Sequence, residues 1–459
     1  MTNVKAKSWL LFMLSGFLYI FIEYAVMRHE TSKLLISLGV LFSIYVWISK
    51  SFDESEVTFW LLAAISFRVS LLFAVPNLSD DFYRFIWDGR LLASGYHPFA
   101  ELPGYYVNQT TIITPGIDKD LFQKLNSPNY FTIYPPVNQF IFWLSVKLSP
   151  HSILGSVIVM RSVIISAEIG TILLIQKILK HYSLPAKNIL IYALNPLVII
   201  ELTGNLHFEA LLIFFMLCSF WLLINEKMLI SAFCFALAIC SKLIPIIVLP
   251  LILSRLGLKK SLQYYILVGL CCVLLFLPLL NVEIISGFRE SISYYFKKFE
   301  FNASLYYLVR EWGFWKYGYN IIQTAGWKLA MWCTMVILVY TFFDERFRNH
   351  STDNNSQSIC VIDNGLLTGC LFVFTIYFIF SAIVHPWYIA TLVAFSVFSS
   401  YRFAVLWSAL IFLTYAGYTS QGFNENLWLI AMEYILVMCY LAYELAKQRK
   451  LIRTKLDVF

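Results

Sequence analysis

Apolar runs long enough to cross a bilayer recur from one end of this chain to the other, and they leave few folds open to it. In hydrocarbon every backbone N–H and C=O must be satisfied inside the protein, so only helices and closed barrels span a membrane. Runs of about 20 apolar residues fit the helix, not the alternating strand. Of 459 residues, 59% are hydrophobic and 13% charged, and the mean hydropathy is +0.71, outside the range of a soluble globular domain. The sequence therefore predicts an all-α polytopic integral membrane protein, one transmembrane domain over 1–459.

Spans are expected near 9–27, 33–49, 57–75, 153–177, 187–203, 208–224, 228–241, 243–255, 261–280, 326–343, 365–383, 387–400, 403–419 and 427–446. Several are short for a core about 30 Å thick, so the expected count is about 12 to 14. Trp9 to Met27 is too long for a signal peptide and lacks a small-residue cleavage site, so it reads as a retained span. Eight of nine cysteines lie in apolar segments and the ninth, Cys360, in a polar loop; no Cys/His spacing calls for a metal.

With the N-terminus cytoplasmic, the inside segments hold Lys5, Lys7, Lys50, Lys177, Lys180, Lys187, Lys227, Arg255, Lys259, Lys260, Arg346, Arg348, Arg402 and the tail from Lys447 to Lys455. That is a consistent positive-inside pattern. The net charge of +7 is thus an orientation signal and gives no reason to expect a nucleic-acid partner. Two polar segments, 76–152 and 281–325, then fall outside, and 344–364 is a cytoplasmic loop. The second outer segment carries Arg289, Lys297, Lys298, Arg310 and Lys316 against the bias. They are either phosphate ligands or are neutralised by Glu283, Glu290, Glu300 and Glu311.

The first outer segment opens with LSDDFYRFIWDGRLLASGYHPF, Leu78 to Phe99, which packs Asp80, Asp81, Arg84, Asp88, Arg90 and His97 into a membrane edge. Charges beside hydrocarbon are costly and mark function by default. Ser79 is a good N-cap, Asp80 and Asp81 suit a first turn, and Gly95 suits a left-handed helix end, so 80–94 reads as an amphipathic helix. Asp81, Arg84 and Asp88 share one face of it. They either pair among themselves as a brace or leave one carboxylate free as a base. Glu201, Asn205, His207 and Glu209 follow in NPLVIIELTGNLHFEALL, either as a hydrogen-bonded turn or as site residues. Lys242 stands at a break between spans, where an ammonium must find a carboxylate or an anionic ligand or snorkel to the interface. His385 begins HPWY, in which Trp and Tyr read as interfacial anchors. Tyr134 and Gln139 open a short apolar segment ending at Leu148, and Arg161 and Glu168 read as paired with each other or a neighbour.

DDFYRFIWDGRLLASGYHPF, YPPVNQ, NPLVIIELTGNLHFEALL, SKLIPIIVLPLIL and HPWY together resemble, in order and spacing, bacterial membrane glycosyltransferases of the GT-C superfamily, in the polyprenol-phosphate-mannose-dependent mannosyltransferase-like group. The resemblance covers about residues 60 to 390. It implies a GT-C-type helical bundle in the bacterial inner membrane, with both termini cytoplasmic and the site facing the periplasm or exterior. It implies transfer of a hexose, mannose foremost, from a polyprenyl-phosphate sugar to a glycan or lipid acceptor in a single inverting displacement. Asp81 is then the base, with Asp80 as neighbour or substitute. Lys242, His385, Lys297 and Lys298 bind donor phosphate, and His207 and Glu209 line the sugar. Arg84, Asp88, His97, Tyr134, Glu201 and Asn205 complete the expected substrate surroundings, Arg84 and Asp88 by holding the loop helix. Glu209 stands where the group has Asp, and His97 where it has Asn. A divalent cation, Mg or Mn, is an optional cofactor in such relatives, although a lone carboxylate pair is a weak site for one. A transporter, flippase or polymerase of lipid-linked sugars is the competing expectation; a transporter should show repeated, interrupted halves, whereas the only break seen is at Ser241–Lys242.

Overall fold

A computed structural model describes residues 5–52, 54–108, 115–280, 287, 290, 299–349 and 363–456. The expected all-helical polytopic architecture is what the chain adopts. Among the described residues six helices are long and apolar enough to cross a membrane, from Ala6–Ala25 to one within Leu427–Leu456. Shorter apolar helices such as Glu209–Ile224, Met228–Ser241 and Asn364–Phe380 take up other expected spans. The span expected at 187–203 is broken: Ala186–Ala193 and Val198–Gly204 meet at 54°. Pro196 removes an N–H there, and Asn195 answers Leu197 N–H with its side chain at 2.9 Å. Val198–Gly204 is wound as a π-helix, a form found mostly at functional sites.

The spans expected at 243–255 and 261–280 are two arms of one hairpin within Leu249–Phe276. Gly257 (φ 71°, ψ 166°) breaks the helix. The Tyr265 hydroxyl donates to the Leu249 carbonyl at 2.6 Å; those residues would lie about 24 Å apart in a straight helix. Only a chain turned back on itself allows that bond, and glycine supplies the left-handed turn without a Cβ penalty.

Polar pairs fix the bundle where the sequence left their partners open. Arg68 donates to Glu168 Oε2 through Nε and Nη2 at 3.1 and 2.9 Å, both side chains fully buried. Arg161 pairs with neither carboxylate. It donates to the carbonyls of Leu72, Ala74, Thr203 and Gly204, tying the helix Ile153–His181 to the π-helical turn.

The described residues of segment 76–152 form four helices, of which two position the site: the loop helix Asp81–Ala93 and a supporting helix Pro136–Leu148. Phe85 of the first stacks on Phe142 of the second at 4.6 Å and 6°, and Tyr134 and Phe208 close an aromatic box around them. Such ring pairs contribute about 0.5–1.5 kcal/mol each beyond area burial. The helices approach so closely at Gly89 that a Cβ there would sit 2.4 Å from the Phe142 carbonyl oxygen and 2.8 Å from its carbon. Backbone cannot yield as a side-chain tip can. Gly89→Ala is expected to lift the loop helix and cost about 1–3 kcal/mol, the range for overpacking. A detergent melt at the wild-type temperature would show the contact to be loose.

Candidate active site

The loop helix ends as the sequence indicated, with Gly95 left-handed at φ 82°. Its start differs by one residue. Asp80 is the N-cap, and Ser79 Oγ receives the Asp81 N–H at 3.3 Å. That shift separates the three carboxylates of the motif by role.

Asp88 is fully buried and saturated. It accepts from Arg84 Nε at 2.9 Å, Thr132 Oγ1 at 2.5 Å and Gln139 Nε2 at 3.0 Å. Arg84 also donates to the carbonyls of Ser127 and Tyr130, both at 2.9 Å. Arg84 and Asp88 therefore rivet the loop helix to the segment before Pro136 and face no opening. Asp80 pairs with Arg28, in the turn between the first two helices, at 2.5 Å. The Arg28 guanidinium in turn lies 5.0 Å from the ring of Tyr418. Asp81 is left outside both arrangements. Among the described residues its hydrogen-bonding contact is the Asn126 amide, which donates to Oδ1 at 2.5 Å, and no cation touches it. Burial pushes its carboxyl up to about 6, against the pull of Asn126 and with the charge of Asp80 adding to the rise.

Lys242 and Glu209 lie close enough for their charges to act on Asp81. Lys242, at the C-cap of Met228–Ser241, forms an ion pair with Glu209 at the start of Glu209–Ile224, and its ammonium stands 3.8 Å over the Tyr388 ring. His207 precedes that helix, after Leu206, which adopts φ 62°; a branched residue held left-handed is strain of the kind functional sites retain. Its Nε2 faces Glu201 Oε2 at 3.6 Å, and Tyr415 donates to the other oxygen of Glu201 at 2.8 Å. Tyr134 edges onto Phe85, and its ring stands within electrostatic range of Asp81 and Glu209.

His385 meets this group through rings. Its imidazole stacks on Trp387 at 4.4 Å and 8°, and Phe301 packs on it at 4.5 Å. Phe301 is held there by backbone bonds to Ala382 and Val384. The other stacking partner of Trp387 is His207, at 3.6 Å and 13°. Trp387 is no interfacial anchor; the sequence could not show that its partner lies about 180 residues upstream.

His97 and Asn205 bond to backbone groups, and Asn205 also to the Glu201 carboxyl. His97 joins Leu279 O at 2.9 Å through Nε2 while its Nδ1 accepts the Phe99 N–H, so it ties the loop to the hairpin's end. Asn205 accepts from Leu78 N–H at 3.2 Å and donates to Ile200 O, fixing the base of the loop. Lys297, Lys298 and Arg289 lie outside the described residues. Arg310 is neutralised by Glu300 and Glu311, and Lys316 covers Trp312. As for a divalent cation, Asp80 is committed to Arg28, and among the described residues no group of three His, Cys, Asp or Glu side chains is placed to hold a metal. The described residues do not fit the ion.

Residues 8–256 match the model of the MptA_B family, described as alpha-(1->6)-mannopyranosyltransferase, N-terminal domain. The match takes in more than half of the chain. The chain belongs to this family. It is also 25% identical over 185 residues to alpha-(1->6)-mannopyranosyltransferase A of Corynebacterium glutamicum, covering 40% of this chain and 36% of that relative. The chain thus spans little more than a third of the curated relative it matches. The family-matched region holds Asp80, Asp81, His207, Glu209 and Lys242, while His385 to Tyr388 lies beyond it. Membership and the apolar helices make this an integral membrane protein of a glycosyltransferase family.

Proposed function

We propose that the protein transfers a mannosyl residue from a polyprenyl-phosphate donor to a hydroxyl of a glycan or lipid acceptor at the outer face of the bacterial inner membrane. The observation that carries this reading is the division of the loop-helix carboxylates: Asp88 is saturated, Asp80 is salt-bridged, and Asp81, which makes no ion pair among the described residues, is left within reach of the charges of Lys242 and Glu209.

Asp81 takes the proton of the acceptor hydroxyl as that oxygen bonds to the anomeric carbon. The bond from that carbon to the phosphate oxygen breaks on the opposite side, which inverts the centre. Lys242 and His385 meet the phosphate as it leaves, and His207 and Glu209 contact the sugar hydroxyls. A carboxyl near 6 is ionised at neutral pH yet still basic enough to accept a proton, the match a general base requires. The rate is therefore expected to fall about tenfold per pH unit below about 6 and to level above it. A profile without that acid limb would remove Asp81 from the role.

The test is transfer by protein purified in detergent or nanodiscs, given polyprenyl phosphates carrying labelled mannose or other sugars and a membrane extract as acceptor. Label reaching the extract from the mannosyl lipid is the expected result. Transfer from a nucleotide sugar alone, or uptake of lipid-linked sugar by vesicles without transfer, would overturn the reading.

A further inference from the structure

Trp387 has both indole faces occupied by histidines from different parts of the chain. His207 lies 3.6 Å from its ring centre at 13°, and His385 lies 4.4 Å away at 8°. Two imidazoles this near one centre and this close to parallel cannot share a face, because their atoms would overlap. They must lie on opposite faces, with the indole as spacer. The three residues come from the turn before Glu209–Ile224 and from the short helix Pro386–Tyr388 with its N-cap.

We propose that Trp387 is a positioning residue that sets the separation and common plane of His207 and His385, so that one imidazole edge meets the sugar and the other the phosphate of a single bound glycosyl phosphate. The proposal rests on the reading of function above. Three features support the assignment. His385 has its other face against Phe301, so its ring cannot turn aside once Trp387 is in place. Its ring nitrogens make no hydrogen bond among the described residues, which leaves the His385 edge for an anionic ligand, while His207 Nε2, also without a hydrogen bond, stands 3.6 Å from Glu201 Oε2. Finally, an indole face accepts a cationic ring on either side, so a proton gained by one imidazole beside a phosphate dianion is tolerated next to the second. A glycosyl phosphate presents a ring of hydroxyls and an anionic oxygen cluster one bond apart, and two donors held at a fixed spacing suit that shape.

The test compares Trp387→Ala and Trp387→Phe in the wild type and in a His207→Ala/His385→Ala background. In the wild type, Trp387→Ala is expected to lower kcat/KM about 100-fold, mostly in kcat, as misregistered groups do. Trp387→Phe, which keeps a flat spacer, should stay within about tenfold of the wild type. In the double-histidine background the further loss from Trp387→Ala should shrink to less than about threefold, because residues acting as one unit are not additive. An equal loss in both backgrounds would make Trp387 a packing residue only and overturn the proposal. A second readout is independent of turnover: the emission of Trp387, taken as wild type minus Trp387→Phe. It should change on His207→Ala and on His385→Ala, and no change in either would also overturn the proposal. If the wild type transfers sugar from no polyprenyl phosphate, the reading of function fails on its own, and the emission result still decides whether the spacer exists.

Discussion

Asp81→Asn is expected to lower transfer by about 10² to 10⁴-fold, the range that a positioned general base contributes, while the protein keeps its fold. Asp81 makes no ion pair and braces no helix, and its amide replacement still offers Oδ1 to Asn126. Unfolding temperature should therefore stay near that of the wild type. Asp80→Asn provides the contrast. It removes a pair with Arg28 in which both side chains are about a third exposed, and such surface pairs contribute about 0–1 kcal/mol. Its activity is expected within about tenfold of the wild type. Parallel initial-rate measurements on the two variants decide between neighbouring carboxylates that the sequence left interchangeable. An Asp81→Asn protein retaining more than about a tenth of wild-type activity would rule it out as the base.

Asp88→Ala should fail differently. It strands the Arg84 guanidinium and leaves Thr132 and Gln139 facing an emptied site. Removing one partner of a buried ion pair costs about 3–5 kcal/mol, because the other charge stays buried without compensation. Both stability and activity are expected to drop, with the melt in detergent shifted well below the wild type. If Asp88→Ala lost activity yet melted with the wild type, Asp88 would be touching substrate and the rivet assignment would be wrong. The pair of variants thus separates chemistry from support on a single helix of 13 residues.

What could be read from the sequence follows the range of the forces involved. Apolar periodicity, positive-inside charge and the Gly95 helix end are local, and they gave the all-helical polytopic fold and the loop helix. The turn at Gly257 was also legible, as the gap between two short spans, whereas the break at Pro196 was not: 187–203 reads as one continuous apolar run. Arg68 with Glu168, Trp387 with His207, and Arg28 against Asp80 depend on pairings across 100, 180 and 52 positions respectively. No window along the chain reports such contacts. Asn205 and His97 show a related limit. Both bond to backbone groups that only the folded chain brings near, and Asn205 also reaches the Glu201 carboxyl.

The segment that delivers Phe301 to His385 is itself held by the last helix, Leu427–Leu456, and the residues just before it. Asn302 N–H donates to Glu425, its carbonyl accepts from Tyr434, and its side-chain amide donates to Glu433, which also takes the Trp407 indole N–H. A ribosome releases these residues in order, so until the helix that begins at Leu427 has entered the bilayer the wall around His385 is tied to Ala382 and Val384 and not yet to Glu433 and Tyr434. An insertion intermediate that holds every residue of the loop helix but not the helix from Leu427 would therefore carry Asp81 beside a wall secured on one side only.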